Sequence, residues 1–169
     1  MAKRVPQVPE VVVVVSRYNA AVTDRLLDGA RAAFDARADD RWALRVVEAP
    51  GAFEIPVLCL AAASLEHTEG VLALGCIIKG ETIHDRVLAD AVTGALLDIM
   101  LRTGVPVSLG VLTVNTAAQA RARAGGRLGN KGAESMEALL DTMRTLRALA
   151  SGEAAPASPA RPDKSRRRR

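Results

Sequence analysis

Aromatic residues are scarce in this chain. Tyr18, Phe34, Trp42 and Phe53 are the only four among 169 residues. A core must therefore be filled by Ala, Val and Leu, and an aromatic placed where packing does not demand it needs another reason to be there. Cysteine is limited to Cys59 and Cys76, both inside apolar runs. No Cys-x-x-Cys or Cys/His cluster offers a zinc site, and the pair reads as two buried thiols in a reducing cytoplasm. Long hydrophobic runs are absent as well. Val11 to Val15 follows a basic start but is too short for a signal-peptide core or a membrane span. A cytoplasmic protein without membrane attachment is expected.

An excess of one charge is also missing once the charges are located. The formal net charge is +4, but residues 151–169 hold six basic against two acidic side chains, and residues 1–150 hold 17 of each. The part expected to fold thus has no net-charge signature of nucleic-acid binding. Composition divides the chain into an N-terminal arm over 1–10, one domain over 11–150 and a disordered basic tail over 151–169, rich in Ala, Ser, Pro and Arg.

What is present is an alternation of periods. Val11 to Val15 is a continuous β-branched run, as in a strand buried on both faces. Thr23 to Ala38 carries apolar residues at helical spacing. Strands are then predicted at Trp42 to Glu48, Val71 to Ile78 and Val107 to Val114. Helices are predicted at Ile55 to Leu65, with Pro56 in its first turn, at Ile83 to Thr103, ending at Gly104, at Ala117 to Ala124, and at Ala133 to Ala150. The order βαβαβαβαα implies an α/β three-layer sandwich with a four-stranded parallel sheet of flavodoxin type.

The unusual residues cluster where strands end. Val11 to Val15 runs into Tyr18-Asn19, Leu44 to Val47 into Gly51-Ala52-Phe53-Glu54, and Val71 to Ile78 into Gly80-Glu81-Thr82-Ile83-His84-Asp85. In an open parallel sheet, ligands bind outside the carboxyl ends of the strands. Thr82 and Asp85 resemble a capping box, and a helix start beside Gly80 offers free N–H groups and a dipole to a phosphate. His84 would stand on the first turn, suited to proton transfer near neutral pH; a merely capping or surface histidine is the plainer alternative. Phe53 offers a flat face, and Glu54 can accept hydrogen bonds from a hydroxyl chain or a ring N–H, or simply favour a helix start. Tyr18 and Asn19 add a ring and an amide. A second cluster, Arg121, Arg123, Arg127 and Lys131 around AGGRLGNKG, suits an anion approached closely by backbone, or is a solvated loop. It lacks the spacing of a phosphate-binding Walker loop. Together these groups suggest a heteroaromatic substrate and a phosphorylated one.

On the segments VVVSRYNAAVTDRLLDGA, APGAFEIP, ALGCIIKGETIHD, GVPVSLGVLT and RAGGRLGNKG, in that order and spacing, the chain resembles the 6,7-dimethyl-8-ribityllumazine synthase family of riboflavin biosynthesis. The resemblance implies a transferase. It condenses 5-amino-6-(D-ribitylamino)uracil with 3,4-dihydroxy-2-butanone 4-phosphate and uses no metal and no organic cofactor. It implies that Tyr18, where the family usually has Phe, stacks on the pyrimidine, with Asn19 near the ribityl chain. Ala52, Phe53 and Glu54 would hold the uracil substrate, Cys76, Ile77 and Ile78 would line the ring pocket, and Lys131 would stand behind it. Glu81, Thr82 and Arg123 would cradle the phosphate, and His84 would carry the proton. Leu109 stands where many members have Phe, and Arg86 where an acid is common, which leaves Asp85 to orient His84.

The resemblance further implies pentamers with shared sites, to which Leu109, Arg123 and Lys131 reach across from a neighbour. Some members close twelve pentamers into a sixty-subunit shell, which the short loop before GNKG permits; riboflavin synthase is a candidate partner. Two other readings compete. One is a flavin- or lumazine-binding protein without catalysis, which would not need His84 and Arg123. The other is a shell whose Arg166–Arg169 run binds nucleic acid, a partner against which the neutral domain argues.

Overall fold

The computed structural model describes residues 8–154. Residues 1–7 of the expected arm and 155–169 of the expected tail, with its arginine run, lie outside them.

Strand β1 (Glu10–Ser16) is the hinge of the architecture, and its five consecutive valines are all buried. Side chains alternate across a strand. Val11, Val13 and Val15 accordingly enter one apolar cluster, while Val12 and Val14 enter another on the opposite face. Helix α1 (Ala20–Arg37) and helix α5 (Lys131–Ser151) cover the first face through Leu26, Leu27, Phe34, Met136, Leu139 and Leu140. Helices α2 (Ile55–Ala63) and α3 (His84–Thr103) cover the second through Ile55, Cys59, Val92, Leu96 and Ile99. Strands β2 (Ala43–Ala49), β3 (Thr68–Ile78) and β4 (Val107–Val114) complete a parallel sheet in the order β2-β1-β3-β4. The three-layer α/β sandwich expected from the sequence is the fold observed. No helix of the described residues is long and apolar enough to cross a membrane.

The glycine-rich stretch after α4 (Ala117–Arg123) departs from expectation. It forms a two-stranded antiparallel hairpin, β5 (Ala124–Gly126) and β6 (Gly129–Asn130), with Gly125 and Gly129 at positive φ. Helix α5 then begins at Lys131, two residues before the expected start, because Asn130 caps it. Asn130 Oδ1 accepts from the N–H groups of Gly132 and Ala133 at 2.8 and 3.2 Å. The same side chain donates to the Arg25 carbonyl in α1 at 2.7 Å. Gly29 leaves room for it, since a Cβ there would fall within 2.5 Å of the Asn130 amide. Half of the GNKG motif is therefore a clasp between two helices.

Candidate active site

The sheet order places the reversal of strand sequence between β1 and β3. From there the chain steps to β2 on one side and to β3 on the other. Crevices at such points are the usual ligand sites of open α/β sheets. A cavity of about 660 Å³ opens there, lined by Tyr18, Asn19, Ala52, Phe53, Glu54, Cys76, Ile77, Ile78, Thr82 and His84 together with Gly51, Lys79, Gly80, Asp85 and Leu88. Three strand ends and the first turns of α3 thus meet in one concavity.

Each wall has a local cause. At the end of β1, Arg17 donates its N–H to the Ala49 carbonyl and pairs with Asp24 at 2.6 Å and Glu48 at 3.8 Å. The turn it pins projects Tyr18, which is 71% exposed. Asn19 adopts a left-handed conformation with φ 63°, which asparagine tolerates better than most residues. That turn lets its carbonyl start α1 and its Nδ2 donate to the Cys76 carbonyl at 2.9 Å. One side chain therefore ties the end of β1 to the end of β3 across the crevice floor. In the β2–α2 connection, Phe53 is 68% exposed. The Glu54 carboxylate folds back over Gly51, where a Cβ would lie 2.9 Å from Oε2. Both aromatics singled out as unneeded for packing are exposed at the cavity, whereas Phe34 and Trp42 are buried.

The start of α3 corrects the sequence reading. Ile83, not Thr82, is the N-cap, and no side chain caps the helix. Thr82 Oγ1 accepts only a long contact, 3.4 Å, from the His84 N–H. They are two positions apart, one short of capping-box geometry. His84 is exposed on the first turn, and Asp85 stands half-buried beside it in the lining. Among the described residues no hydrogen bond holds the His84 ring, so Asp85 is adjacent but not bonded to it.

Four expected site residues do not line this cavity. Glu81 is exposed between two lining residues. Leu109, on β4, is 48% exposed. Arg123 donates to the Gln119 carbonyl at 3.2 Å within α4, and Lys131 pairs with Glu134 at 2.5 Å on α5. Conversely, Lys79 and Leu88 line the cavity without having been singled out, while Gly51, Gly80 and Asp85 were named only as parts of the strand-end clusters. Lys79 was legible in principle, since it follows directly on the third strand. Among the described residues no three His, Cys, Asp or Glu side chains are grouped as a metal site requires.

Burial pushes the Cys59 thiol up to about 12 and the Cys76 thiol up to about 11. Neither is a nucleophile near neutral pH, because the thiolate is the reactive form. The backbone carbonyl of Cys76 instead accepts the Asn19 amide at the cavity. Iodoacetamide at about pH 8 is expected to label neither thiol in the native protein and both in urea. Rapid labelling of native Cys76 would contradict this.

Residues 9–147 match the family model described as 6,7-dimethyl-8-ribityllumazine synthase. Curated proteins named 6,7-dimethyl-8-ribityllumazine synthase are similar over most of the chain. That of Xanthomonas campestris pv. campestris (strain B100) is 42% identical over 135 residues, which cover 80% of this chain and 88% of the relative. That of Xylella fastidiosa (strain 9a5c) is 42% identical over 130 residues, 76% and 84% of the two chains. That of Thermus thermophilus is 40% identical over 124 residues, 73% and 79%.

Proposed function

Because the chain belongs to the 6,7-dimethyl-8-ribityllumazine synthase family, we propose that the cavity between the ends of β1 and β3 is where its two substrates meet. The protein is a transferase of riboflavin biosynthesis. It condenses 5-amino-6-(D-ribitylamino)uracil with 3,4-dihydroxy-2-butanone 4-phosphate to 6,7-dimethyl-8-ribityllumazine, phosphate and water. The observation that carries the site is the convergence in one cavity of two exposed aromatics, an amide, a carboxylate and a histidine from three separate strand ends.

Tyr18 and Phe53 offer faces to the pyrimidine, whose edge meets the backbone of residues 76–78. Asn19 and Glu54 take the ribityl chain. The phosphate lies at the start of α3 by Thr82, with Glu81 supplying backbone. The ring amine attacks the ketone, and a first water leaves as the imine forms. Phosphate then leaves, with His84 moving the proton. The enol rearranges, the second nitrogen closes the ring and water is lost. Amine condensation is facile, so holding two substrates in register is the larger part of catalysis.

Leu109, Arg123 and Lys131 stand apart from the lining of a single chain, and a pentamer that shares its sites accounts for them: each reaches a neighbour's cavity. Arg123 adds a cation at the phosphate, Lys131 one behind the uracil, and Leu109 closes the ring pocket. Closure of pentamers into a sixty-subunit shell is compatible with the short loop before GNKG, and riboflavin synthase is a candidate partner. The domain over 11–150 is the catalytic unit, and its place is the cytoplasm.

Mixing the two substrates with the protein and following lumazine absorbance and fluorescence tests this reading; no product would refute it. Arg123→Ala is expected to raise KM for the butanone phosphate by about tenfold, the scale of a charge-assisted hydrogen bond, and KM for the uracil much less. Steady-state kinetics against each substrate decides, and equal increases would remove Arg123 from the phosphate.

A further inference from the structure

Lys79 has no part in the roles given above, yet its surroundings are those of an anion-binding cation. Its backbone is fixed at the end of β3, where its N–H donates to the Val114 carbonyl at 2.8 Å. The residue is exposed and stands in the lining of the cavity. Among the described residues it is the only lysine or arginine that does so, facing a lining that includes the carboxylates Glu54 and Asp85. No carboxylate of the described residues pairs with it, unlike Arg17 at the rim, which is held by Asp24 and Glu48.

A phosphate monoester brings a charge of about −1.5 to −2 at neutral pH. Without Lys79, that dianion would approach two carboxylates and the α3 dipole with no fixed cation of this subunit beside it. Gly80 adds a second observation. A Cβ there would meet no atom within 4 Å, and its φ is not positive, so neither packing nor backbone requires glycine. What glycine leaves is a bare floor between Lys79 and Thr82, through which backbone approaches a bulky anion closely.

On the functional reading above, we propose that Lys79 is a specificity-determining residue for the phosphorylated substrate. Its ammonium receives the phosphate as the ketone arrives and keeps it at the α3 end of the cavity. The uracil is thereby left the aromatic end. The ammonium makes a point contact in solvent rather than a bidentate one, so charge matters more than shape, and arginine can replace it.

The test compares Lys79→Met and Lys79→Arg in the full chain. KM for the butanone phosphate should rise about fivefold in Lys79→Met, the scale of a solvent-accessible ion pair, while KM for the uracil moves less than about twofold. The inhibition constant of inorganic phosphate against the ketone should rise in parallel, and Lys79→Arg should restore both. Raising salt should weaken the unaltered protein's kcat/KM for the ketone more than that of Lys79→Met. An unchanged KM for the ketone in Lys79→Met, or equal increases for both substrates, would overturn the assignment. Inorganic phosphate binding by calorimetry keeps the question separate from turnover. If the protein makes no lumazine the functional reading falls, and Lys79 is still judged by whether Lys79→Met loses phosphate binding that Lys79→Arg keeps. Equal phosphate binding in all three proteins, or none in the unaltered one, would overturn it.

Discussion

Gly132→Ala is expected to destabilise the fold by about 3 kcal/mol, at the upper end of what overpacking usually costs. A Cβ at this position would lie 2.0 Å from the Leu26 carbonyl oxygen and 2.7 Å from its carbon. Both are backbone atoms of α1, so no rotamer change can relieve the overlap. Helix α5 would have to move away from α1. The movement would stretch the Asn130 clasp to Arg25 and loosen the contacts of Met136, Leu139 and Leu140 with Leu26. Urea unfolding at fixed protein concentration measures the loss, the concentration mattering because any assembly adds to apparent stability. A variant within about 0.5 kcal/mol of the parent, the range of an ordinary surface change, would show that the helices are free to separate there.

His84→Ala is expected to lower turnover by about tenfold or more, the lower reach of general acid–base catalysis, while both KM values stay within a few-fold. The ring stands at the cavity on the first turn of α3, exposed and free of hydrogen bonds among the described residues, so its removal leaves no buried group unpaired. Folding should therefore be unaffected, and the loss should fall on kcat. The residual rate measures what orientation alone supplies, which for a facile condensation is large. Single-turnover kinetics with both substrates saturating isolates the step. An unchanged rate would take His84 out of proton transfer.

The parts legible in the sequence were those whose periodicity reports burial. The run Val11–Val15 announced a central strand, and the helical spacing from Val22 to Phe34 announced its cover. Tyr18 and Phe53, which are exposed and line the cavity, stood out for the opposite reason, being aromatic rings where no core calls for them. Boundaries set by a single hydrogen bond were not. Helix α1 starts at Ala20, three residues before the expected Thr23, because Asn19 takes a left-handed turn to reach Cys76, 57 residues away. Strand β3 starts at Thr68 rather than Val71, with Gly70 making room for Met143 of α5. The hairpin over 124–130 read as a loop because only its partner, helix α1, shows that Asn130 and Gly132 are packed rather than solvated. Lys79 was legible only by its place at the end of the third strand, and its position in the same cavity as Tyr18 and Phe53 shows only once the strands are ordered in the sheet.

The clasp between α1 and α5 also sets a temporal order. The contacts of Arg25 with Asn130 and of Arg37 with Asp141 join residues 105 and 104 positions apart. During synthesis the ribosome delivers the N-terminal part first. The face of the sheet bearing Val11, Val13 and Val15 then waits, half covered, for Met136, Leu139, Leu140 and Met143 of α5 to emerge. A nascent chain stalled short of α5 therefore displays an open apolar sheet face, and that interval is when a chaperone would find it.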